Sequence, residues 1–255
     1  MTKVTVNGVE LFYMEEGRGE AIIFLHGLTS NHHMLKQEMY VLKHHYRVIG
    51  VDARGHGESE KPNHYTLEDH IQDVISLMDY LHIERAHLIG MSMGTYVAQG
   101  VAIQIPERIK KMVLISGNTH AKDSGTSLLE KHKEEVEGLA FDEQLGKLSA
   151  YVFHQLDKIG PWMSGIPGRL TPEQQEIAAD ALATFDFRPD LHKVKAETLV
   201  ISGQYDGLNP PEDGKEIANH IPGAQFMLFE QSGHAPNIEE QEKFQNVLRE
   251  FFDLK

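Results

Sequence analysis

Apolar and polar positions alternate from Val4 to Phe12 around Asn7-Gly8, a dipeptide that tolerates the positive φ angles of a tight hairpin turn. The pattern predicts two antiparallel strands. It then changes to short unbroken apolar runs, Ala21 to Leu25, Tyr46 to Val51 and Ala86 to Ile89, separated by stretches of helical periodicity. Unbroken runs of strand length suit a parallel sheet covered on both faces. The clearest intervening helix takes Thr66 as its N-cap and places Ile71, Val74, Ile75 and Met78 on one stripe. Three further runs follow, Met112 to Ile115, Thr198 to Ile201 and Gln225 to Phe229. A closing helix should be capped by Asn237 with Glu240 at the capping-box position, burying Phe244, Val247, Leu248 and Phe251. Strands alternating with helices predict an α/β fold, a mostly parallel central sheet flanked by helices.

Between Asn118 and about Asp190 this alternation stops. Gly125, Gly138 and the pairs Gly160-Pro161 and Pro167-Gly168 should break the stretch into several helices. One of them starts at Thr171-Pro172-Glu173-Gln174, with proline at the first helical position and a capping box. The chain therefore divides into an α/β core, residues 1–118 and 191–255, and a helical insertion, residues 119–190. Leu156, Trp162, Met163 and Ile166 exceed what a small helical layer buries by itself, so part of that surface should face the functional edge of the sheet.

Composition changes the picture little: 40% hydrophobic and 24% charged residues are ordinary for a soluble globular protein. The net charge of −14 matters more, because so acidic a surface repels phosphate backbones and anionic lipid head groups. Nucleic acid and membrane surfaces are disfavoured as partners. With no cysteine in its 255 residues, the chain has no disulfide, no thiolate nucleophile and no Cys-based metal site. That absence, with no basic and apolar leader after Met1, gives a cytoplasmic expectation. No apolar run approaches the roughly 20 residues of a membrane-spanning helix.

The candidate chemistry begins at Gly90-Met91-Ser92-Met93-Gly94, a G-x-S-x-G string at the end of an apolar run and the start of a helix. A sharp strand-to-helix turn holds such a serine in a strained conformation and needs small residues two before and two after it. It also aims the first amides of the helix at the reacting centre, so the Met93 backbone N–H is one expected oxyanion donor. Leu28, after Leu25-His26-Gly27 at the end of an early strand, should supply the second through its backbone. A serine hydroxyl needs a histidine to take its proton and a carboxylate to orient the ring. Asp206 and His234 fill these roles, each just past the end of a strand, where open α/β sheets place their ligands. His26 reads as a turn-stabilising residue and Arg54 as a structural hydrogen-bonding one. The pairs His32-His33 and His44-His45 carry no metal expectation, since adjacent helical residues point to different faces.

The order Ser92, Asp206, His234, the His26-Gly27 turn and Asp52-Ala53-Arg54-Gly55-His56-Gly57-Glu58-Ser59 resemble the α/β-hydrolase superfamily along the whole chain. In that family the segment resembling Asp206-Gly207-Leu208-Asn209-Pro210 carries the triad acid, and the segment resembling Gly233-His234-Ala235-Pro236 carries the base. The resemblance implies a helical cap over residues 119–190 that shapes substrate selection. It also implies a serine hydrolase acting on a small-molecule carboxylic ester or lactone with no cofactor, most similar to small carboxylesterases and enol-lactone hydrolases. Carbon–carbon bond hydrolases of ring-cleavage products rank second, because Met91, Gly94-Thr95 and Ala235 stand where they carry other residues. Thioesterase-like and peptidase-like relatives are minor alternatives, the latter because Met93 stands where they usually carry Trp, and a ligand-binding signalling protein on the same scaffold is the non-enzyme alternative. Oligomeric state is left open by the sequence.

Overall fold

In the computed structural model, which describes residues 2–121, 128–139 and 141–254, the chain opens with β1 (Thr2–Val6) and β2 (Val9–Gly17). They are joined at Asn7 and Gly8 with φ of 47° and 72°, the two positive values a tight hairpin demands. There follow β3 (Ala21–Leu25), α1 (Lys36–Leu42), β4 (Arg47–Val51), α2 (Leu67–Tyr80), β5 (Ala86–Met91), α3 (Met93–Gln104) and β6 (Ile109–Ile115). After β6 come α4 (Leu128–Lys131), α5 (Lys133–Val136), α6 (Phe141–Val152), α7 (Leu156–Ser164) and α8 (Pro172–Asp180). The chain ends with β7 (Glu197–Gly203), α9 (Pro211–His220), β8 (Gln225–Phe229), α10 (Pro236–Glu239) and α11 (Gln241–Phe251).

The described strands form one eight-stranded sheet in the order β1-β2-β4-β3-β5-β6-β7-β8. Pairing is antiparallel from β1 through β2 to β4 and parallel from there on. Each central strand feeds both faces, as the twofold side-chain period requires. On β3, Ala21, Ile23 and Leu25 join a core with α2, α3 and α9, while Ile22 and Phe24 join one with α1 and α11. β6 starts three residues before the apolar run, because Ile109 pairs with Ala86 of β5 and Lys111 with Glu197 of β7, and Lys110 and Lys111 are only half-buried there. Lys111 lays its stem along the edge and donates to Phe251 O at 2.6 Å, as a long cationic side chain does over apolar surface.

Two helix starts follow their sequence signals, Thr66 with Asp69 for α2 and Thr171 with Gln174 for α8, both complete capping boxes. Two others do not. Gly160-Pro161 breaks nothing: Pro161 sits inside α7. The proposed cap of the last helix also fails, because Pro236 starts a separate single turn and Glu240, without a side-chain cap bond, precedes α11. Glu240 instead accepts from Gln231 N and Ser232 Oγ. Gly138 ends α5 with φ of 78° and Pro167-Gly168 separates α7 from α8, whereas Gly125 lies outside the described residues. Among the described residues no helix is long and apolar enough to cross a membrane.

Asn237, buried within α10, donates from Nδ2 to Glu38 Oε1 of α1 at 3.2 Å, and Glu38 Oε2 and Asn237 Oδ1 are left without partners among the described residues. A carboxylate so placed is costly, and burial pushes the Glu38 carboxyl from 4.5 up to about 7. The folded chain then binds more protons than the unfolded one between those values, so stability falls as pH rises through that window. Glu38→Gln keeps the paired shape without titrating. Its stability relative to the wild type is expected to rise by about 3 kcal/mol between pH 4 and pH 8. Thermal melts of both proteins at the two pH values read the difference, in which the buried histidines common to both cancel. A constant difference would show that folding does not shift the Glu38 carboxyl.

Candidate active site

The turn from β5 into α3 is as tight as the G-x-S-x-G spacing requires. A Cβ on Gly90 would lie 2.3 Å from Gly94 O, and one on Gly94 would lie 2.0 Å from Leu25 O, so neither position admits a side chain without moving backbone. Between them Ser92 has φ 51° and ψ −119°, outside the small left-handed region open to L-residues. Its amide donates to Ile115 O at 2.9 Å and Thr95 Oγ1 donates to Ser92 O at 2.7 Å, fastening the turn to β6 and to the helix. Met93 is the first residue of α3, where a backbone N–H has no partner within the helix. The Leu25–Leu28 loop runs against this turn, close enough that a Cβ on Gly27 would sit 3.3 Å from the Ser92 Cβ.

Asp206 and His234 follow β7 and β8 and are both buried. Asp206 Oδ1 accepts from the backbone amides of Leu208 and Asn209 at 2.9 and 3.0 Å, and Oδ2 faces His234 Nδ1 at 2.8 Å. A carboxylate only accepts, so Nδ1 carries the proton and Nε2 keeps the lone pair. Both loops are stitched to the segment between β6 and β7: Gly207 N donates to Tyr151 O and His234 N to Val152 O, the last carbonyls of α6. Glu239 completes the fastening. Its Oε1 accepts from Gly233 N and Ala235 N, and its Oε2 from His154 N and Gln155 N, at 2.7 to 3.2 Å.

Ser92 and His234 line one cavity of about 520 Å³, together with Leu28 and Met93. That volume is in the range of small-molecule sites. Val152, Phe153, Trp162 and Met163 contribute apolar wall from the segment between β6 and β7, and Trp162 Nε1 donates to Met34 O at 3.3 Å. The polar lining includes Tyr96, Asn118 and Asn209, which sequence patterns do not single out. Asn209 could have been suspected from its place three residues after Asp206; Tyr96 and Asn118 carry no motif. Nor does Glu239, one acidic residue among several near the C-terminus.

The remaining candidates sit elsewhere. His26 Nε2 accepts from Ala53 N at 3.0 Å, the turn-stabilising place expected of it. Arg54 makes a two-point pair with Asp73 of α2 and is not part of the cavity lining. His32 and His33 do not point apart as expected: their ring centroids are 4.1 Å from one another, because Asp52 holds the first ring and Asn31 the second in a short 3-10 turn. No group of three or more His, Cys, Asp or Glu side chains is placed to hold a metal among the described residues.

The family model described as alpha/beta hydrolase fold matches residues 20–158. The chain is similar to 3-oxoadipate enol-lactonase 1 of Acinetobacter baylyi, 30% identical over 97% of this chain and 91% of that protein. Among solved structures it is similar to the enol-lactonase from Burkholderia xenovorans LB400, at 27% identity and a TM-score of 0.84, covering 99% of this chain and all of the other. A thermophilic esterase from Thermogutta terrifontis aligns with the same TM-score at 26% identity, over 99% of this chain and 98% of its own.

Proposed function

The chain belongs to the α/β-hydrolase family, and from that premise we propose that it is a serine hydrolase cleaving a carboxylic ester or lactone through an acyl-enzyme. The observation that carries the reading is the 2.8 Å pairing of Asp206 with His234 Nδ1 at the wall of the cavity that Ser92 also lines. In this reading His234 Nε2 takes the Ser92 proton as Oγ attacks the carbonyl carbon. The tetrahedral oxyanion is held by the backbone N–H groups of Met93 and Leu28. The imidazolium, stabilised by Asp206, gives its proton to the departing alkoxide, and a water activated by the same nitrogen then releases the acid. No cofactor enters these steps. Residues 119–190 act as a cap whose apolar side chains choose the acyl group.

Support for the ester and lactone class comes from the names of the relatives, enol-lactonases and an esterase. Hydrolysis of p-nitrophenyl esters from acetate to decanoate is the test. Turnover is expected to peak at short to medium chains, because a cavity of about 520 Å³ walled in part by Trp162, Phe153 and Met163 leaves little room for a long acyl chain. A ring-cleavage dienoate turned over while every ester stays intact would replace this reading with carbon–carbon bond hydrolysis.

A further inference from the structure

Met34 lies in the 3-10 turn between β3 and α1, and its sulfur accepts the hydrogen of Gly27 N at 3.1 Å. A thioether is a weak acceptor, yet this one satisfies a backbone N–H that is buried and would be costly to strand. The side chain also packs against Gly27: a Cβ there would lie 3.2 Å from Met34 Cε and 3.3 Å from both Met34 Sδ and Ser92 Cβ. Met34 is itself held at both ends of its backbone, its N donating to Asn31 O at 3.0 Å and its O receiving Trp162 Nε1 at 3.3 Å. The sulfur therefore reaches Gly27 from a fixed anchor.

The carbonyl side of Gly27 is fixed as well. His26 Nε2 accepts from Ala53 N at 3.0 Å, so the ring hydrogen is on Nδ1, which donates to Gly27 O at 2.7 Å; Ser30 N donates to the same oxygen at 3.3 Å. The N–H of that peptide unit belongs to Leu28, and in a trans peptide it points opposite to the oxygen. Gly27 O faces His26, which lies outside the cavity lining, so Leu28 N–H faces away from it, on a stretch where Gly27, Leu28 and Ser92 all line the cavity. Between the two fixed peptide planes stands a glycine, whose φ and ψ are the least restrained of any residue. We propose that Met34 is a positioning residue for the oxyanion hole: its sulfur fixes the plane before Gly27 as His26 fixes the plane after it, and together they hold Leu28 N–H where the tetrahedral oxyanion forms. The inference rests on the serine-hydrolase reading and adds to it a residue that acts through the backbone of its neighbour.

Met34→Leu tests this, since it keeps the bulk of the side chain and removes the acceptor. Acylation and deacylation both pass through a tetrahedral oxyanion, so the two rates should fall together. With p-nitrophenyl butyrate, kcat is expected to drop about tenfold or more while KM stays within about twofold of wild type. A trifluoromethyl ketone, whose carbonyl carbon bonds to Ser92 Oγ and leaves its oxygen as an oxyanion in the same hole, should lose affinity by a similar factor. Met34→Ile, equally without an acceptor, is measured beside it and decides the matter should Met34→Leu not fold. A lower melting temperature with kcat within about twofold of wild type would overturn the positioning role and leave the hydrolase reading standing. A fall in kcat with the ketone bound as tightly as by wild type would overturn it too. A wild type that neither turns over the ester nor binds the ketone would remove the hydrolase reading itself, and the inference with it.

Discussion

Replacing Ser92 with alanine is expected to lower ester turnover by about four to six orders of magnitude, since a nucleophile and its base act as a unit. Labelling by a serine-directed phosphonate, read by mass spectrometry, should vanish with it. The same position makes a second, independent prediction about stability. Ser92 holds φ 51° and ψ −119°, a conformation that costs a residue with a Cβ about 1–3 kcal/mol, whereas glycine reaches it without clash. Ser92→Gly is therefore expected to melt about 3–6 °C above Ser92→Ala, at roughly 2–4 °C per kcal/mol in a chain of this size, although both are inactive. Undiminished turnover in Ser92→Ala would dismiss the proposed nucleophile. Equal melting temperatures for the two variants would show that the turn stores no strain for activity to exploit.

Much of the fold is legible because its signals are local. Asn7-Gly8 needs only its own turn, the β3 run needs only its own five apolar residues, and Thr66 meets Asp69 three residues away. The failures come where a distant partner overrides a local preference. Asn237 and Glu240 have capping-box spacing, yet Pro236 restarts the chain as a single turn, Asn237 turns inward to Glu38 of α1, and Glu240 turns to Ser232. Pro161 reads as a breaker, but α7 carries on through it and holds Ile159 buried and Trp162 against Met34. Position along the sheet is legible for the same reason: Asp206 and His234 follow apolar runs that end at one edge. What lies between those runs in space is not. Tyr96, Asn118 and Asn209 meet only because α3, the end of β6 and the loop after β7 converge there.

That convergence also bears on the segment between β6 and β7. The strand-helix alternation breaks off there, which suggests an appendage separable from the core. The bonds from Gly207 to Tyr151 O and from His234 to Val152 O join it to both loops that matter. Its entry and exit are themselves tied, Ala121 N to Phe185 O and Phe187 N to Thr119 O. Changes at its outer helices and changes at residues 151–155 should therefore behave differently, the first acting on the cavity wall and the second on the loops of Asp206 and His234 together.

Glu239 is where this coupling is concentrated, and Glu239→Gln is expected to destabilise the fold by about 3–5 kcal/mol. The carboxylate is 1% exposed and receives four backbone amides, two on each oxygen, from Gly233 and Ala235 on one side and His154 and Gln155 on the other. A glutamine offers one acceptor oxygen and turns an NH2 toward the other two donors. Each donor so stranded costs about 1–3 kcal/mol, with the loss of charge assistance added. At 2–4 °C per kcal/mol the melting temperature should fall by about 8–15 °C. Ester kcat/KM should drop at least tenfold at a temperature where the variant is still folded, because either pair of amides it strands loosens the loop of His234: Gly233 and Ala235 flank that residue, and His154 and Gln155 follow Val152, whose carbonyl receives His234 N. Glu240→Gln is the control, one residue away and only partly buried, with one carboxylate oxygen receiving Gln231 N and Ser232 Oγ. Its effect is expected to stay near 1 kcal/mol, since both donors sit on one oxygen and the single carbonyl oxygen of a glutamine can still receive them. If Glu239→Gln matched Glu240→Gln in both melting and kcat/KM, the loop of His234 would owe its position to the sheet alone.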